Sequence, residues 1–377
     1  MCIFTNIGCL QHERNVKGNK AMKHIVVLGG GYGGMRVIQK LLGSNKLQDI
    51  QITLVDKVPY HCLKTEYYAL AAGTEADQHL RVTFPNDRRL VIKYGDVQAV
   101  NMDEKTVLFK NSEELLSFDQ LVIGLGCEDK YHGIPGAEEH SLSIQSIRKA
   151  RAAYQKIQDI GPGGTVSIVG GGLSGVELAS ELRESRPDIK VILFDRGKTV
   201  LSMFPEKLHT YVQKWLIDHG VTLVNQASIT KLEENIVYNH GKPTFSDAII
   251  WTAGIQANEV VRNLNVEKDA MGRAFLTKHH HIEGHKDIFI VGDCAALNHA
   301  PSAQLAEAQG EQIVMIMEKM HNNEPLPETM PKIKLKGVLG SLGKKHGFGV
   351  MGDRTLLGRV PRVLKTGVLW MYRYHTG

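Results

Sequence analysis

Short apolar runs rich in β-branched residues recur along the chain, and each is too brief to form a helix. Runs of this length and composition are typical of strands buried on both faces of a parallel sheet. Helical spacing of apolar residues follows two of them, over Met35–Leu42 and up to Leu182. Strands that alternate with helices predict an α/β fold. The predicted strands are His24–Leu28, Ile52–Val55, Leu121–Ile123, Val166–Val169, Val191–Phe194, Ala248–Trp251 and Ile288–Val291.

A glycine-rich loop joins strand to helix at two places, residues 29–34 and residues 170–175. In both, the next strand ends in an acidic residue: Asp56 lies 27 residues after Gly29, and Asp195 lies 25 residues after Gly170. The pattern G-x-G-x-x-G by itself also fits an ordinary glycine turn. The order of strand, glycine loop, helix, strand and acid, present twice, predicts two Rossmann-like dinucleotide-binding domains.

Each part of this pattern has a physical role. The first glycine permits a tight turn, the second lets the backbone approach a pyrophosphate, and the third lets the helix pack closely on the strand. The helix N-terminus offers free N–H groups and a partial positive charge to phosphates. The acid can accept hydrogen bonds from an adenosine ribose. Asp195 would also repel a 2′-phosphate, which favours NADH over NADPH, although the adjacent Arg196 could grip that phosphate.

Later strands that end in glycine close both units, so the second unit is predicted to be an insert within the first. The predicted layout is a discontinuous first domain at 22–140 and 266–322, an inserted domain at 141–265, and a basic C-terminal segment at 323–377. The proline-rich stretch Glu324–Pro331 marks the last boundary. Residues 1–21 are expected to be a disordered extension, because they lack the charged start, apolar core and cleavage site of a secretory signal.

Composition and charge narrow the class of protein. Hydrophobic residues make up 42% and charged residues 23% of 377 residues, which is typical of a globular protein of two or three domains. The five cysteines are scattered and no two form a C-x-x-C pair, which fits a reducing cytoplasm. No apolar run approaches the length of about 18 residues needed to span a bilayer. Residues 332–377 hold six Lys and four Arg but a single acidic residue, Asp353, so this segment is basic.

With these features the chain resembles the two-dinucleotide flavoprotein superfamily, and within it the type II NADH dehydrogenases, in particular the bacterial NADH dehydrogenase-like branch. The resemblance covers nearly all of residues 22–377 and implies FAD in the first Rossmann unit and NADH in the second. It assigns to FAD the residues Gly29, Gly31, Gly33, Gly34, Asp56, Lys57, Val97, Gly126, Gly292, Asp293 and Gln304. It assigns to NADH the residues Gly170, Gly172, Gly175, Glu177, Asp195 and Gly254.

The same resemblance implies the reaction. Hydride would pass from NADH to flavin N5, and the flavin would then pass two electrons to an acceptor, which is expected to be a quinone. Glu177 would lie beside the nicotinamide, although Ser174-x-x-Glu177 also fits a helix capping box. Lys64 would lie near the flavin ring, where its ammonium could stabilise reduced flavin. The alternative is that Lys64 is simply an exposed lysine in a loop, which is the more common case.

The acceptor side departs from the family pattern. The family's A-Q-x-A-x-Q-Q segment lies against the flavin and the quinone pocket, and here residues 303–309 keep Gln304 and Gln309 but place Ala308 where the family has its first paired glutamine. Quinone as the acceptor is therefore open. Asp293 is expected to bind the ribityl chain, with a helix N-cap role as the structural alternative.

Two rival functions stay open. A single-cysteine NADH peroxidase or coenzyme A-disulfide reductase would need Cys62 as a redox thiol, whereas a small buried thiol fills that place without chemistry. An NADH-sensing flavoprotein would bind both nucleotides without turnover. His279, His280, His281 and His285 suggest a metal, but consecutive strand residues point to opposite faces, so an exposed strand end is preferred and no metal is predicted.

The C-terminal segment carries apolar residues at helical spacing with basic residues beside them. This fits either a helix lying on an anionic membrane surface or a helix packed on the FAD domain with its basic residues solvated. The expected location is cytoplasmic, peripheral on the inner face of the cell membrane if the first holds. Nucleic acid is not expected, since no binding motif accompanies the charge; a homodimer is an open alternative. The helix residues are Arg359, Val360, Arg362, Val363, Leu364, Lys365, Val368, Trp370, Met371, Tyr372 and Arg373.

Overall fold

The structure, a computed structural model, describes residues 22–376, so the extension predicted at 1–21 lies outside the described residues. The first part of the chain supplies thirteen elements. They are β1 (Lys23–Leu28), α1 (Tyr32–Gly43), β2 (Ile50–Asp56), β3 (Tyr60–Cys62), α2 (Tyr67–Ala72), β4 (Arg81–Thr83), β5 (Leu90–Tyr94), β6 (Val97–Asn101), β7 (Thr106–Phe109), β8 (Leu115–Ser117), β9 (Gln120–Ile123), β10 (Cys127–Asp129) and α3 (Ala137–His140).

The middle part of the chain forms a second set of strands and helices. They are β11 (Leu142–Ser143), α4 (Ile147–Gln158), β12 (Thr165–Val169), α5 (Leu173–Ser185), β13 (Lys190–Phe194), α6 (Glu206–Asp218), β14 (Val221–Val224), β15 (Ile229–Glu233), β16 (Ile236–Asn239), β17 (Lys242–Phe245), β18 (Ala248–Trp251), β19 (Ile255–Ala257) and α7 (Glu259–Arg262).

The last part returns to the first sheet and then adds a small sheet and a helix. Its elements are β20 (His281–Ile282), β21 (His285–Ile290), α8 (Ala303–His321), β22 (Val338–Leu342), β23 (His346–Met351), β24 (Arg354–Gly358) and α9 (Arg359–Thr376). Short 3-10 helices lie at Lys64–Glu66, Asp77–Leu80 and Gly292–Cys294.

Two mainly parallel sheets form the framework. The first has the order β20-β21-β9-β1-β2-β5, in which β20 is the antiparallel edge, and the second has the order β11-β18-β12-β13-β14. In both, the strand that precedes a glycine loop, β1 or β12, lies between the strand that ends in an acid and a strand that ends near a glycine. The predicted α/β class with two Rossmann-like units is confirmed.

Apolar side chains cover both faces of each sheet, as the continuous apolar strands predicted. Helices α1 and α8 pack together on one face of the first sheet, and residues of β6, β7 and α7 cover the other. The second sheet shares its core with α2 of the first unit and with Leu342 and Phe348 of the small C-terminal sheet. The core therefore runs continuously from the second unit into the C-terminal segment.

Two features of the fold differ from the sequence expectation. The C-terminal segment contains the antiparallel sheet β22-β23-β24, which was not predicted. Its strands are rich in glycine, because a Cβ at Gly340 would overlap the ring of Phe348, and glycine weakens a strand pattern. The histidines at 280 and 281 are buried and not an exposed strand end; His280 Nε2 lies 2.7 Å from Gln312 Oε1 of α8.

Candidate functional site

The first glycine loop is built so that only glycine fits at its tightest points. Gly29 has φ +96°, and a Cβ there would overlap the carbonyl oxygen of Gly124 at the end of β9. A Cβ at Gly34 would overlap the carbonyl oxygen of Gly29, and one at Gly33 would lie 2.7 Å from Val291. A Cβ at Gly31 meets nothing within 4 Å, so this glycine leaves the backbone accessible to a ligand.

The second glycine loop repeats this arrangement. Gly170 has φ +113°, and a Cβ there would lie 2.7 Å from Ala253 after β18. A Cβ at Gly175 would overlap the carbonyl oxygen of Gly170, whereas a Cβ at Gly172 would meet nothing within 4 Å. Gly254 has φ +131°, and its Cβ would lie 2.9 Å from His132 Nε2. Both loops thus combine close helix–strand packing with an open second glycine, as a pyrophosphate requires.

Each loop is held by the carboxylate that ends the neighbouring strand. Asp56 Oδ2 accepts a hydrogen bond of 2.6 Å from the amide of Gly30. Asp195 Oδ2 accepts one of 2.8 Å from the amide of Gly171. Burial raises the pKa of Asp56, and the backbone donors around the carboxylate oppose that rise. Because a carboxylate has about four lone-pair positions, each acid retains capacity for a ribose diol.

Helix N-termini face both loops without side-chain caps. The N-cap residues are Gly31 for α1 and Gly172 for α5, and neither can supply a capping side chain. The amides of the first turn are therefore available to an anionic ligand. The capping box predicted at Ser174 and Glu177 is wrong, because α5 begins at Leu173, one residue before Ser174.

Glu177 instead belongs to a buried charge cluster. Its Oε1 accepts hydrogen bonds from the Ser341 amide at 2.8 Å and from Lys365 Nζ at 2.6 Å. Lys365 Nζ also lies 3.2 Å from Glu66 Oε1 and donates to the Tyr68 hydroxyl at 2.6 Å. Sequence reasoning missed this cluster and treated Lys365 as solvated or membrane-facing, whereas its side chain is buried.

Opposite charges stabilise one another within this cluster. Burial raises the pKa of Glu177, and the attraction of Lys365 lowers it in part. Burial opposes the charge on Lys365, but the neighbouring carboxylates raise its pKa well above the ordinary value, so the ammonium stays charged. The cluster joins α5 to the segment before α2 and to α9. Contact of Glu177 with a nicotinamide stays a prediction.

Lys64 and Asp293 lie together where β9 and β21 end. Lys64 Nζ is 3.7 Å from Asp293 Oδ2 and 3.0 Å from Cys127 Sγ, and Cys127 Sγ is 3.1 Å from the same carboxylate oxygen. Burial opposes the charge on Lys64, but Cys127 and Asp293 raise its pKa. Asp293 lies inside the 3-10 helix that Val291 caps, so the alternative N-cap role for Asp293 is wrong.

The other residues predicted for FAD are spread along the same strand ends. Val97 begins β6 and is buried, and Lys57 Nζ pairs with Asp96 at 2.9 Å. Gly126 has φ +72°, and Gly292 has φ +77°. All four lie at or just after the carboxyl ends of strands of the first sheet. The first glycine loop lies at the same edge of that sheet.

The two glutamines at the start of α8 bind the backbone. The Gln304 amide donates to the Gly337 carbonyl at 3.0 Å and accepts from the Lys336 amide at 2.9 Å, so it fixes the segment that leads to β22. Gln309 accepts from the Gly292 amide at 2.9 Å and donates to the Ile290 carbonyl at 2.9 Å. Contact of Gln304 with flavin stays a prediction, since the structure gives its amide a structural role.

Cys62 is a partly buried thiol at the end of β3. Burial raises its pKa to about 11, so at neutral pH the thiol is protonated and a poor nucleophile. This disfavours the redox-thiol alternative. Within residues 22–376 no group of three or more His, Cys, Asp or Glu is arranged to hold a metal ion.

Comparison with known proteins shows the family to which the chain belongs. Residues 23–310 match the family model described as pyridine nucleotide-disulphide oxidoreductase. The chain belongs to this family. It is 60% identical over 356 residues to the NADH dehydrogenase-like protein YutJ of Bacillus subtilis, covering 94% of this chain and 100% of that protein. The chain is therefore a member of an oxidoreductase family and is similar over most of its length to an NADH dehydrogenase-like protein.

More distant matches also cover most of the chain. The chain is 26% identical over 379 residues to the type II NADH:quinone oxidoreductase of Staphylococcus epidermidis, covering 91% of this chain and 93% of that protein. It superposes on the structure of NDH2 from Plasmodium falciparum in complex with NADH with a TM-score of 0.82 and 15% identity, over 94% of this chain and 96% of that chain. This structural match establishes the fold.

Proposed function

We propose that the chain is an FAD-dependent NADH:acceptor oxidoreductase that works in two half-reactions. The observation that carries the proposal is the pair of matching loops, each open at its second glycine and each fixed by the carboxylate of the neighbouring strand. The first loop would hold FAD in a unit made of 22–140 and 266–322, and the second would hold NADH in the unit 141–265.

Different residues beside each loop would bind different parts of the nucleotide. On the FAD side, Asp56 would bind the adenosine ribose, Val97 the adenine and Asp293 the ribityl chain. On the NADH side, Asp195 would bind the adenosine ribose, and its negative charge favours NADH over NADPH. The relative named as type II NADH:quinone oxidoreductase supports NADH as the electron donor.

Hydride transfer from NADH to FAD is the chemistry that the two dinucleotides supply when bound, and the protein contributes position and charge. Lys64 is held charged beside Asp293 and would offset negative charge on a reduced ring. Glu177 is fixed by Lys365 and the Ser341 amide, so the N-terminal half of α5 has a defined place beside the second loop.

Quinone is the acceptor we favour, and it is supported by the sequence relatives that are named for quinone reduction. Helix α9 would offer a route to lipid-borne quinone, because most of its exposed side chains are apolar. Val360, Val363 and Val368 are 61%, 70% and 51% exposed, and Arg359 lies beside them on the same helix. Such a face would lie on an anionic bilayer surface. Among the described residues, no helix has the length and apolar character to traverse a bilayer.

Stopped-flow mixing tests the proposal. The flavin absorbance of the purified protein should bleach with NADH faster than with NADPH, and it should return when a quinone is added. Return of colour with peroxide or a disulfide, and not with quinone, would favour a thiol-dependent enzyme. A reduced flavin that no acceptor reoxidises would favour a nucleotide sensor, and a protein that binds no flavin would end the proposal.

A further inference from the structure

The backbone of Gly30 is held by side chains from two other parts of the chain, one on the peptide before Gly30 and one on the peptide between Gly30 and Gly31. The Gly30 amide donates to Asp56 Oδ2 at 2.6 Å. The Gly30 carbonyl oxygen lies 2.7 Å from Nδ1 of His61, whose side chain is fully buried. The conformation of the loop at Gly30 is therefore set by residues outside the loop.

The direction of the hydrogen bonds around His61 follows from its neighbours. A carbonyl oxygen only accepts, so Nδ1 carries the hydrogen and donates to Gly30. Burial lowers the pKa of His61 to about 4, so the ring is neutral at pH 7 and its Nε2 is an acceptor. The Tyr372 hydroxyl lies 3.0 Å from Nε2, so it must be the donor. Burial raises the pKa of Tyr372, which keeps that hydroxyl protonated.

Ring packing strengthens the same connection. The rings of His61 and Tyr32, the residue after Gly31, form a T-shaped pair with a centroid distance of 5.0 Å and an interplanar angle of 81°. The Tyr372 ring lies 5.2 Å from Tyr32 and 5.6 Å from His61. Aromatic pairs at these separations attract one another beyond their burial of apolar area. Helix α9 thus contacts the first glycine loop through Tyr372.

The geometry of a trans peptide gives this chain of bonds a consequence for the ligand. In a planar trans peptide the C=O and the following N–H point in opposite directions. Because the Gly30 carbonyl points to His61, the Gly31 amide points away from it. The space beside Gly31 is open, and the free amides of α1 follow directly.

We propose that Tyr372 is a positioning residue for FAD: through His61 it fixes the Gly30–Gly31 peptide so that the Gly31 amide faces the pyrophosphate. This rests on the assignment of FAD to the first loop. FAD retention is then linked to the C-terminal helix, although α9 follows the first loop by more than 300 residues in sequence.

The test compares Tyr372→Phe, which removes one hydroxyl and keeps the ring, with the holoprotein. The matched control is Tyr374→Phe on the same helix, where the tyrosine is largely exposed. FAD release on dilution, followed by the recovery of flavin fluorescence, should show the dissociation constant rise roughly tenfold in Tyr372→Phe and stay unchanged in the control. The dissociation constant of NAD⁺, measured by calorimetry, should not change in either variant.

The NAD⁺ measurement separates positioning from general loosening. Lys365 on the same helix holds Glu177 beside the second loop, so a displaced α9 would weaken both nucleotides. A second variant, His61→Asn, keeps a donor near the place of Nδ1 but is too short to reach Tyr372. Adding Tyr372→Phe to His61→Asn should therefore change FAD retention no further, since the two positions act as one unit.

Several results would overturn the inference. They are equal FAD retention in Tyr372→Phe and wild type, equal weakening by Tyr372→Phe and Tyr374→Phe, parallel weakening of NAD⁺ binding, or additive effects of the His61 and Tyr372 changes. These outcomes differ from failure of the proposed function, in which wild-type protein itself would retain no FAD.

Discussion

Asp56 and Asp195 show how one side chain can serve the fold and a ligand together. Each carboxylate binds an amide of its own glycine loop and a second backbone amide just after its strand, Val58 at 3.0 Å and Gly197 at 2.7 Å. The acid therefore shapes the loop before any nucleotide arrives. An acid in this position is both a ligand-binding residue and a support for the turn that presents the phosphate site.

Replacement of Asp195 by Asn should damage NADH use specifically. The amide group would place a donor toward the amides of Gly171 or Gly197, and it would remove the charge that opposes a 2′-phosphate. We expect kcat/KM for NADH to fall by roughly 10- to 100-fold, the range for losing a hydrogen bond to a charged group, and the preference over NADPH to shrink. Steady-state rates with both nucleotides measure this, with exposed Asp218→Asn as the control. An unchanged preference would contradict the role of Asp195.

Cys62→Ala distinguishes the flavin reaction from a thiol reaction. With its pKa raised to about 11, the thiol is protonated and inert at neutral pH. NADH-dependent quinone reduction by Cys62→Ala should therefore stay within about twofold of wild type, the margin expected from a small packing change. Loss of all turnover would support the single-cysteine peroxidase or disulfide reductase instead.

At the level of single elements, helix α9 has two faces whose side chains differ in polarity and burial. The inward face carries Lys365 and Tyr372, which bind Glu177 and His61, while most exposed side chains of the outward face are apolar. Exposed apolar side chains in this number on one helix are typical of an interaction surface. The predicted alternative of a helix packed with solvated basic residues fails for Lys365, which is the buried residue of the set.

Charges placed on the outward face of α9 should weaken membrane contact. The variant Val363→Glu/Val368→Glu loses apolar area and adds repulsion from anionic headgroups, so binding should fall by more than roughly tenfold. Co-sedimentation with phosphatidylglycerol vesicles at low salt measures this, with phosphatidylcholine vesicles beside them. Met203→Glu is the control, because Met203 is 87% exposed elsewhere. Equal binding of all three proteins would rule out α9 as the contact.

At the scale of the whole molecule, one ammonium group connects three parts of the chain. Lys365 of the C-terminal helix binds Glu66 of the first unit and Glu177 of the second, while Ser341 of the small sheet binds Glu177. The relative position of the two nucleotide units is thus fixed by charges as well as by the shared apolar core. The loss of a charge from this cluster should therefore change the free energy of unfolding of the whole protein.

Lys365→Met should be strongly destabilising, because it leaves two buried carboxylates without their cation. We expect the free energy of unfolding to fall by about 3–5 kcal/mol, measured by urea titration. The triple variant with Glu66→Gln and Glu177→Gln should recover much of the loss, since it removes the unpaired charges. A Lys365→Met protein as stable as wild type would show that the cluster is not effectively buried.

The same variant should acquire a pH dependence with a defined sign. Burial raises the pKa of Glu177, and removal of the Lys365 cation, which lowers it, raises it further. The folded state then keeps a proton that the unfolded state releases above about pH 4.3. Stability of Lys365→Met should therefore fall as pH rises from 4.3 toward neutrality, relative to wild type. Urea titrations of both proteins between about pH 5 and pH 8 test this; parallel curves would contradict it.

The two loops, their carboxylates and the parallel sheets could be predicted from the sequence, because those signals are local. Each unit contains a buried strand, a glycine with positive φ and an acid at the end of the next strand. These features lie within about 30 residues of one another, so they form a recognisable sequence pattern. His24–Leu28 and Ala248–Trp251 were predicted nearly to the residue. The partners of Glu177 and His61 and the inward face of α9 became visible only in the folded protein. The bonds of Lys365 to Glu177 and of Tyr372 to His61 join residues more than 180 positions apart, and no local spacing indicates which buried charge or ring will meet which.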